Sequence, residues 1–186
     1  MKLQLNARQA QKKSEAKALR RSGQIPAVIY SEGKEGQAVA VSEHDFTTAL
    51  DHVKSGHLPT TVFELTGEAG NVRKAVVREI QYHPTTYRVL HIDFEQLKED
   101  VDITVKVPIE FTGVADCAGI KLGGVLRQVI RHLKVRCKPK KMPSAFQLDV
   151  TNLKMKQSLR LSDIAIPTDV KPLGNLNEVA VVIAKR

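Results

Sequence analysis

The sequence predicts a mainly β protein with antiparallel sheets in both halves of the chain. Many short segments are apolar or alternate apolar with polar residues, and Gly, Pro and Asn turns separate them. Hydrophobic residues make up 42% of the 186 residues, which is enough for a buried core. Aromatic residues are only 4%, so a binding surface built mainly on ring stacking is not expected.

The first half of the chain is expected to hold six strands and two helices. Ser14 is expected to cap the first helix, and Gly23 suits the residue that follows it. Ser42, with Asp45 three residues on, has the spacing that caps a second helix ending at Gly56. The strands are predicted over residues 2–6, 26–30, 37–41, 60–65, 72–82 and 88–94, and the first helix over 15–22. The second helix has an apolar face of Phe46, Ala49, Leu50 and Val53.

A polar, acidic stretch over residues 96–100 predicts the boundary between two domains, 1–95 and 96–186. The second domain opens with a clear alternating strand over residues 101–111, and a glycine-rich loop is expected over 113–124. Further strands are predicted over residues 129–137, 146–150, at least part of 158–166, and 178–184.

The charge favours a polyanionic partner. There are 29 Lys and Arg against 20 Asp and Glu, a net charge of +9, which suits nucleic acid or an anionic membrane surface. Residues 1–21 hold seven basic residues and one acid, so the basic charge of the first domain is focused. A solvated basic helix or a transit-like leader is the simpler interpretation of this segment.

Two positions in the first domain carry chemistry suited to RNA. His91 and Asp93 are two residues apart on a strand, so they share the face opposite Leu90 and Ile92. Asp accepts hydrogen bonds from base amino groups, and His donates, accepts or stacks. Such a pair is more often a structural hydrogen bond. Tyr30 suits stacking on a sugar or base, but it also suits the end of a core strand.

The second domain offers a basic strand and two cysteines. His132, Lys134, Arg136 and Lys138 alternate with apolar residues, so one face is cationic. A solvated sheet face is the default interpretation, and an RNA-facing surface is the alternative. Cys117 and Cys137 are expected to be reduced thiols, although a bridge between neighbouring strands fits their spacing equally well.

Signals for catalysis and for membranes are missing. The sequence has no phosphate-binding glycine loop, dinucleotide-binding motif, zinc-protease motif or nucleophile elbow, so no enzyme, cofactor, metal site or small-molecule substrate is expected. A small enzyme using Cys117 or His91 remains the weaker alternative. The longest apolar run, 179–184, is far too short to cross a membrane, and no secretory signal is apparent.

Several motifs together resemble the bacterial large-subunit ribosomal protein family L-twenty-five, in its longer form, the general stress protein Ctc. The resemblance spans essentially the whole chain, and it is the combination of motifs that is specific. The motifs are Arg20-Arg-Ser-Gly-Gln-Ile-Pro-Ala-Val-Ile-Tyr30, Gln81-Tyr-His-Pro84, His91-Ile-Asp-Phe94, Gly123-Gly-Val-Leu-Arg, Lys138-Pro, Phe146-Gln-Leu-Asp-Val150 and Ser158-Leu-Arg-Leu-Ser-Asp163.

The resemblance implies a closed N-terminal β-barrel with short helices, followed by a C-terminal antiparallel β-domain. It further implies a cytoplasmic, ribosome-associated protein whose partners are 5S ribosomal RNA and proteins of the large subunit. A stress-induced protein-interaction module that does not depend on RNA is the alternative. The RNA-contacting residues of the family carry over onto Arg8, Arg20, Arg21, Tyr30, His91 and Asp93, with looser matches at Lys13 and Gln81.

The chain departs from the family pattern in two places. Residues 9–14 read Gln-Ala-Gln-Lys-Lys-Ser where the family often has a Gly-Lys-Gly-like stretch, which puts a contact from Lys13 in doubt. Near Leu153 the chain reads Lys-Met-Lys-Gln, whereas the family tends to have an acidic turn with glycine.

Overall fold

A computed structural model describes residues 1–8, 13–31, 35–67 and 70–185. The chain divides into two compact units, Met1–Val101 and Asp102–Arg186. The mainly β class predicted from the sequence is confirmed, with a closed barrel in the first unit and two further sheets in the second.

Six strands form the barrel of the first unit in the order β1-β3-β2-β6-β5-β4, and β4 closes on β1. Closure leaves no unpaired sheet edge. Two of the pairings, β1 with β4 and β2 with β6, are parallel, whereas the sequence pattern argued for antiparallel structure in both halves. The elements are β1 (Lys2–Ala7), α1 (Lys13–Arg21), β2 (Gln24–Tyr30), β3 (Gln37–Ser42), α2 (Glu43–Asp51), a 3-10 turn (Leu58–Thr60), β4 (Val62–Thr66), β5 (Val72–Tyr82) and β6 (Val89–Gln96).

Three phenylalanine rings fill the barrel. Phe46 from α2 lies 6.3 Å from Phe63 and 6.4 Å from Phe94, measured between ring centroids, and none of the three rings is exposed to solvent. The Phe46–Phe94 and Phe63–Phe94 pairs meet edge to face, an arrangement that aromatic quadrupoles favour. Helix α2 therefore contributes to the core of the barrel.

The ends of both helices differ slightly from the prediction. Ser42 caps α2 by accepting a hydrogen bond from the Asp45 amide, as its position predicts. The helix ends at Asp51 rather than at Gly56, because the Val53 amide bonds three residues back to Leu50 and tightens the last turn.

The first helix begins one residue earlier than the predicted cap. Ser14 lies inside α1 rather than capping it. Gly23 follows the helix with a φ of +75°, a left-handed conformation that costs glycine little.

The second unit holds two sheets, ordered β10-β7-β9-β12 and β11-β13-β8. Their pairings are antiparallel except that β10 joins β7 in parallel. The elements are β7 (Ile103–Thr112), α3 (Ala118–Lys121), β8 (Gly124–Gln128), β9 (His132–Cys137), β10 (Phe146–Asp149), β11 (Ser158–Arg160), a 3-10 turn (Leu161–Asp163), β12 (Lys171–Pro172) and β13 (Val179–Lys185).

The segment predicted as a loop over residues 113–124 contains the short helix α3. Close packing explains how the helix fits: a Cβ at Gly124 would lie 2.6 Å from the Gly119 carbonyl oxygen and 2.6 Å from Ile183. Glycine at residue 124 therefore lets α3 approach the sheet, where any side chain would collide.

The strand predicted over residues 129–137 is shorter in the structure. Only His132–Cys137 forms β9, and a corner at residues 129–131 separates it from β8. The amides of Val129 and Ile130 both donate to the Ala180 carbonyl, while Ile109 donates to the Arg131 carbonyl, so the chain passes from one sheet to the other. Over residues 158–166 only Ser158–Arg160 is strand. The chain then turns, with the Asp163 carboxylate accepting from the Arg160 amide at 2.8 Å.

Both cysteines are buried and free. The Cys117 thiol donates to the Leu153 carbonyl oxygen at 3.3 Å. Burial, with a smaller effect from Asp102, raises the pKa of the Cys137 thiol. The expectation of reduced thiols therefore holds, and the alternative of a bridge does not. Over the described residues, no helix is long and apolar enough to span a membrane.

The packing of the rings predicts that Phe46→Ala will destabilise the first unit strongly. Loss of a fully buried ring costs roughly 3–5 kcal/mol in the free energy of unfolding. Urea unfolding of the full chain measures this change, with Val72→Ala, at a side chain 61% exposed, as the control. A loss below about 1 kcal/mol would contradict a core position for Phe46.

Candidate nucleic-acid interface

The candidate interface is the outer wall of the barrel over three adjacent strands, β2, β6 and β5. Strand β6 pairs in parallel with β2, so that Val28 lies opposite Asp93, and antiparallel with β5, so that Gln81 lies opposite His91. Ile92 and Phe94 point into the core with no exposed surface. Because side chains alternate along a strand, His91 and Asp93 point outward.

His91 and Asp93 form a direct pair on this wall. The two side chains are 22% and 32% exposed, so they are neither buried in the barrel nor freely solvated. The Nδ1 of His91 lies 2.7 Å from Oδ1 of Asp93. An Nδ1–H that donates to Oδ1 leaves Nε2 of His91 and Oδ2 of Asp93 for other hydrogen bonds.

Tyr30 and Gln81 flank the pair on the neighbouring strands. Tyr30 lies opposite Glu95 in the β2–β6 ladder, and Gln81 lies opposite His91 in the β5–β6 ladder. Burial raises the pKa of the Tyr30 hydroxyl, and the nearby carboxylate of Glu95 raises it further. The hydroxyl therefore remains a neutral donor and acceptor beside the pair.

Two β-bulges shape this wall. In β5, pairing passes from Val77 directly to Glu79, so Arg78 is the extra residue. Bulges re-aim side chains, and here Arg78 reaches Glu95 with 3.4 Å between NH1 and Oε2. In β6, pairing skips Leu90 in the same way, between His91 and Val89.

Arg20 is anchored at the second bulge. Its Nε donates to the Leu90 carbonyl oxygen at 3.0 Å, which ties the C-terminal turn of α1 to the residue next to His91. Arginine has five donors, so four remain on the Arg20 guanidinium after this bond. Arg21 follows at the end of the helix and is exposed. The structure thus brings Arg20 next to the His91–Asp93 pair, whereas among the described residues Arg21 has no contact that places it there.

Arg8 lies further around the barrel. Its Nε donates to the Val39 carbonyl oxygen at 3.0 Å. Val39 is level with Ala27 on β2, which is level with Ile92 on β6. Two strand spacings, about 10 Å, therefore separate the anchor of Arg8 from β6. Lys13 begins α1, and its side chain lies outside the described part of the chain.

Several charged neighbours of the pair were not identified from the sequence. Glu79 lies opposite Asp93, and Glu95 follows Asp93 on the same face. Strand alternation alone places Glu95 there, whereas Arg78 and Glu79 depend on a bulge that no sequence pattern marks. The wall therefore combines three carboxylates with Arg78, and Arg20 of α1 is anchored beside them.

An ion pair fixes the end of the wall near α2. Arg88 donates to Glu43 through both Nε, at 3.0 Å to Oε1, and NH2, at 2.7 Å to Oε2. The hydrogen bond from Arg88 lowers the pKa of the Glu43 carboxyl. The pair joins the first turn of α2 to the residue that precedes β6.

Comparison with known proteins places the chain among ribosomal proteins. Residues 3–94 match the model of the ribosomal L25p family, and residues 102–186 match that of the ribosomal protein TL5, C-terminal domain. Proteins named large ribosomal subunit protein bL25 are 48% identical in Chlamydia abortus, 47% in Chlamydia muridarum and 44% in Chlamydia pneumoniae, each over the full length of both chains. The chain belongs to the ribosomal L25p family, in its long form with the second domain, and this family is not enzymatic.

The Arg88–Glu43 pair predicts a pH-dependent contribution to stability. Because the folded state lowers the pKa of Glu43, the contribution is complete above the ordinary pKa of a glutamate and disappears as the pH falls through the lowered value. Glu43→Gln should therefore lower the melting temperature slightly at pH 7, and the difference should vanish in acid. Thermal unfolding measured from pH 7 to pH 3 tests this, with Glu35→Gln at an exposed position as control.

Proposed function

We propose that the chain is a constituent of the large ribosomal subunit and binds 5S ribosomal RNA through the outer wall of its barrel. The observation that carries the proposal is the placement of Tyr30, Gln81, His91 and Asp93 side by side, with Arg20 anchored next to them. The relatives are named as large-subunit proteins, and the family resemblance indicates the 5S RNA. We place the protein on ribosomes in the cytoplasm.

The arginines supply the contacts to the phosphate backbone. Lys and Arg neutralise phosphates and fix the position of a protein on RNA without reading sequence. Arg20 is anchored on the wall at Leu90, Arg21 follows it at the end of α1, and Arg8 is anchored two strands away. When these arginines hold the phosphates, the groove of the RNA faces the polar side chains of the wall. Lys13 remains a proposed further contact.

The polar side chains of the wall read the RNA. The minor groove of A-form RNA is wide and shallow and displays ribose hydroxyls and base edges. Asp93 accepts through Oδ2, His91 offers Nε2, Gln81 both donates and accepts, and Tyr30 adds a hydroxyl and a ring. Acceptors of this kind suit base amino groups and ribose hydroxyls.

The carboxylates determine which part of the RNA the wall faces. Glu79, Asp93 and Glu95 repel phosphates, so the backbone is expected to lie on the arginines and not over β6. The family resemblance implies that the partner is an internal loop with non-Watson–Crick pairs, and amino groups exposed in such a loop suit the carboxylates of the wall.

Arg20→Ala should weaken binding of the full chain to 5S RNA and reduce its salt dependence. Removing one phosphate contact changes the log–log slope of affinity against salt by roughly 0.7 to 0.9. Arg127→Ala is the matched control, because Arg127 is an exposed arginine on β8 of the second unit and is not part of the barrel wall. Filter binding at several salt concentrations measures both variants, and an unchanged slope for Arg20→Ala would remove Arg20 from the interface.

Asp93→Asn should reduce the preference for 5S RNA over a plain RNA duplex. The substitution keeps the size of the side chain but replaces one outward acceptor by a donor, so the specific RNA loses more affinity, roughly 1–3 kcal/mol. Competition between 5S RNA and a regular duplex measures the preference, with Asp51→Asn on the exposed end of α2 as control. Equal weakening of both RNAs would contradict a reading role for Asp93.

A further inference from the structure

A second cationic surface lies on the outer face of the sheet β7-β9-β12 in the second unit. We define the cationic face as Lys106, Lys134, Arg136 and Lys171, all exposed. The opposite side of the same strands is apolar and buried, with Val105 opposite Val135 and Val107 opposite Leu133. The cationic face is therefore the solvent side of a sheet whose orientation is fixed by its core.

The cations of this face stand directly opposite one another. Lys106 is the cross-strand partner of Lys134, and Arg136 is the partner of Lys171. Opposed residues have Cβ atoms about 5 Å apart, and like charges in that position destabilise a sheet. Two such pairs lower the stability of the folded sheet, so the requirements of folding do not explain why these residues are cationic.

Acidic side chains do not neutralise the face. Among the described residues, the four cations have no ion pair, whereas Lys121 and Lys141 elsewhere in the unit pair with Asp116 and Asp169. Thr104 lies opposite Arg136, and the acids of β7 and its approach, Asp102 and Glu110, fall at the two ends of the face. The charge is therefore concentrated at the centre.

We propose that the cationic face of the second unit binds the phosphate backbone of a structured RNA, as a contact separate from the barrel wall. A regular polyanion suits the geometry: cations about 5 Å apart across strands and about 7 Å apart along a strand form a flat array. Arg136 at its centre binds two phosphate oxygens at once, which lysine does not. The described residues on this side of β7, β9 and β12 include no Phe, Tyr or Trp, and the carboxylates fall at its ends, so the face contacts backbone rather than bases.

RNA fits this face better than an acidic protein does. An acidic protein surface offers irregular carboxylates, and a stable complex with it needs an apolar centre. The face presents cations and Thr104, with its apolar residues on the buried side. The membership of the chain in a ribosomal family agrees with RNA but is not needed for the electrostatic inference.

The test compares two charge-matched triple variants of the full chain. One removes the centre of the face, Lys106→Ala, Lys134→Ala and Arg136→Ala. The control removes three exposed cations from the other sheet and its turn, Arg127→Ala, Lys154→Ala and Lys185→Ala. Both are made with Arg20→Ala and Arg21→Ala, so that barrel contacts contribute less to the measured affinity.

Fluorescence anisotropy with a regular RNA duplex of about twenty base pairs is the measurement. The face variant should bind about tenfold or more weakly than its parent, and its salt slope should fall by roughly 0.7 to 0.9 for each phosphate that is no longer neutralised. The control should change less than half as much. Equal losses of affinity in both variants, or no loss in either, would overturn the proposal.

Two further measurements keep the result decisive. Relief of the opposed charges should raise the melting temperature of the face variant, whereas the control should stay near its parent. If the face variant binds RNA more weakly and also melts at a lower temperature, misfolding explains the loss. The single variant Lys134→Gln then decides: weaker binding supports the proposal, and unchanged binding contradicts it. Greater loss of binding to poly-glutamate than to RNA would assign the face to an acidic protein instead.

Discussion

The parallel pairing of β2 with β6 is the constraint on which the barrel and its outer wall depend. It joins segments far apart in the chain, with Ala27 beside Ile92 and Tyr30 beside Glu95. Three buried rings make this closure favourable, because Phe94 from β6 packs against Phe46 and Phe63. The same register that buries Ile92 and Phe94 turns the alternate residues outward, so core packing determines which side chains the wall presents.

Local periodicity was enough to predict the strands of the barrel, but not their partners. A period of two in 88–94 separates core from surface residues, and the polar face carries the His91–Asp93 pair. Strand partners depend on non-local contacts, so two parallel pairings went unpredicted. In the second unit, α3 and the corner at 129–131 were missed because close packing and hydrogen bonds to Ala180 determine them.

In the candidate site, too, some residues follow from local sequence patterns and others depend on non-local contacts. Strand alternation and family motifs led to Tyr30, Gln81, His91 and Asp93, which the structure places together. The bulge at Arg78 changes the period, so no sequence rule placed Arg78 or Glu79 there. The opposed pair Lys106 and Lys134 also needed coordinates, because a basic alternating strand is ordinarily a solvated face until its neighbour is known.

The hydrogen bond from Arg20 to the Leu90 carbonyl has a consequence for the entropy of association. A free arginine must lose rotamer freedom when it binds, at about 0.5–1.5 kcal/mol for each immobilised side chain. Here the Nε–H is already committed, so the guanidinium plane is oriented before any ligand arrives. A lysine at residue 20 has a single ammonium group, which would have to choose between the carbonyl and a ligand. Preorganisation is thus a property of the arginine fork itself, and charge alone would not reproduce it.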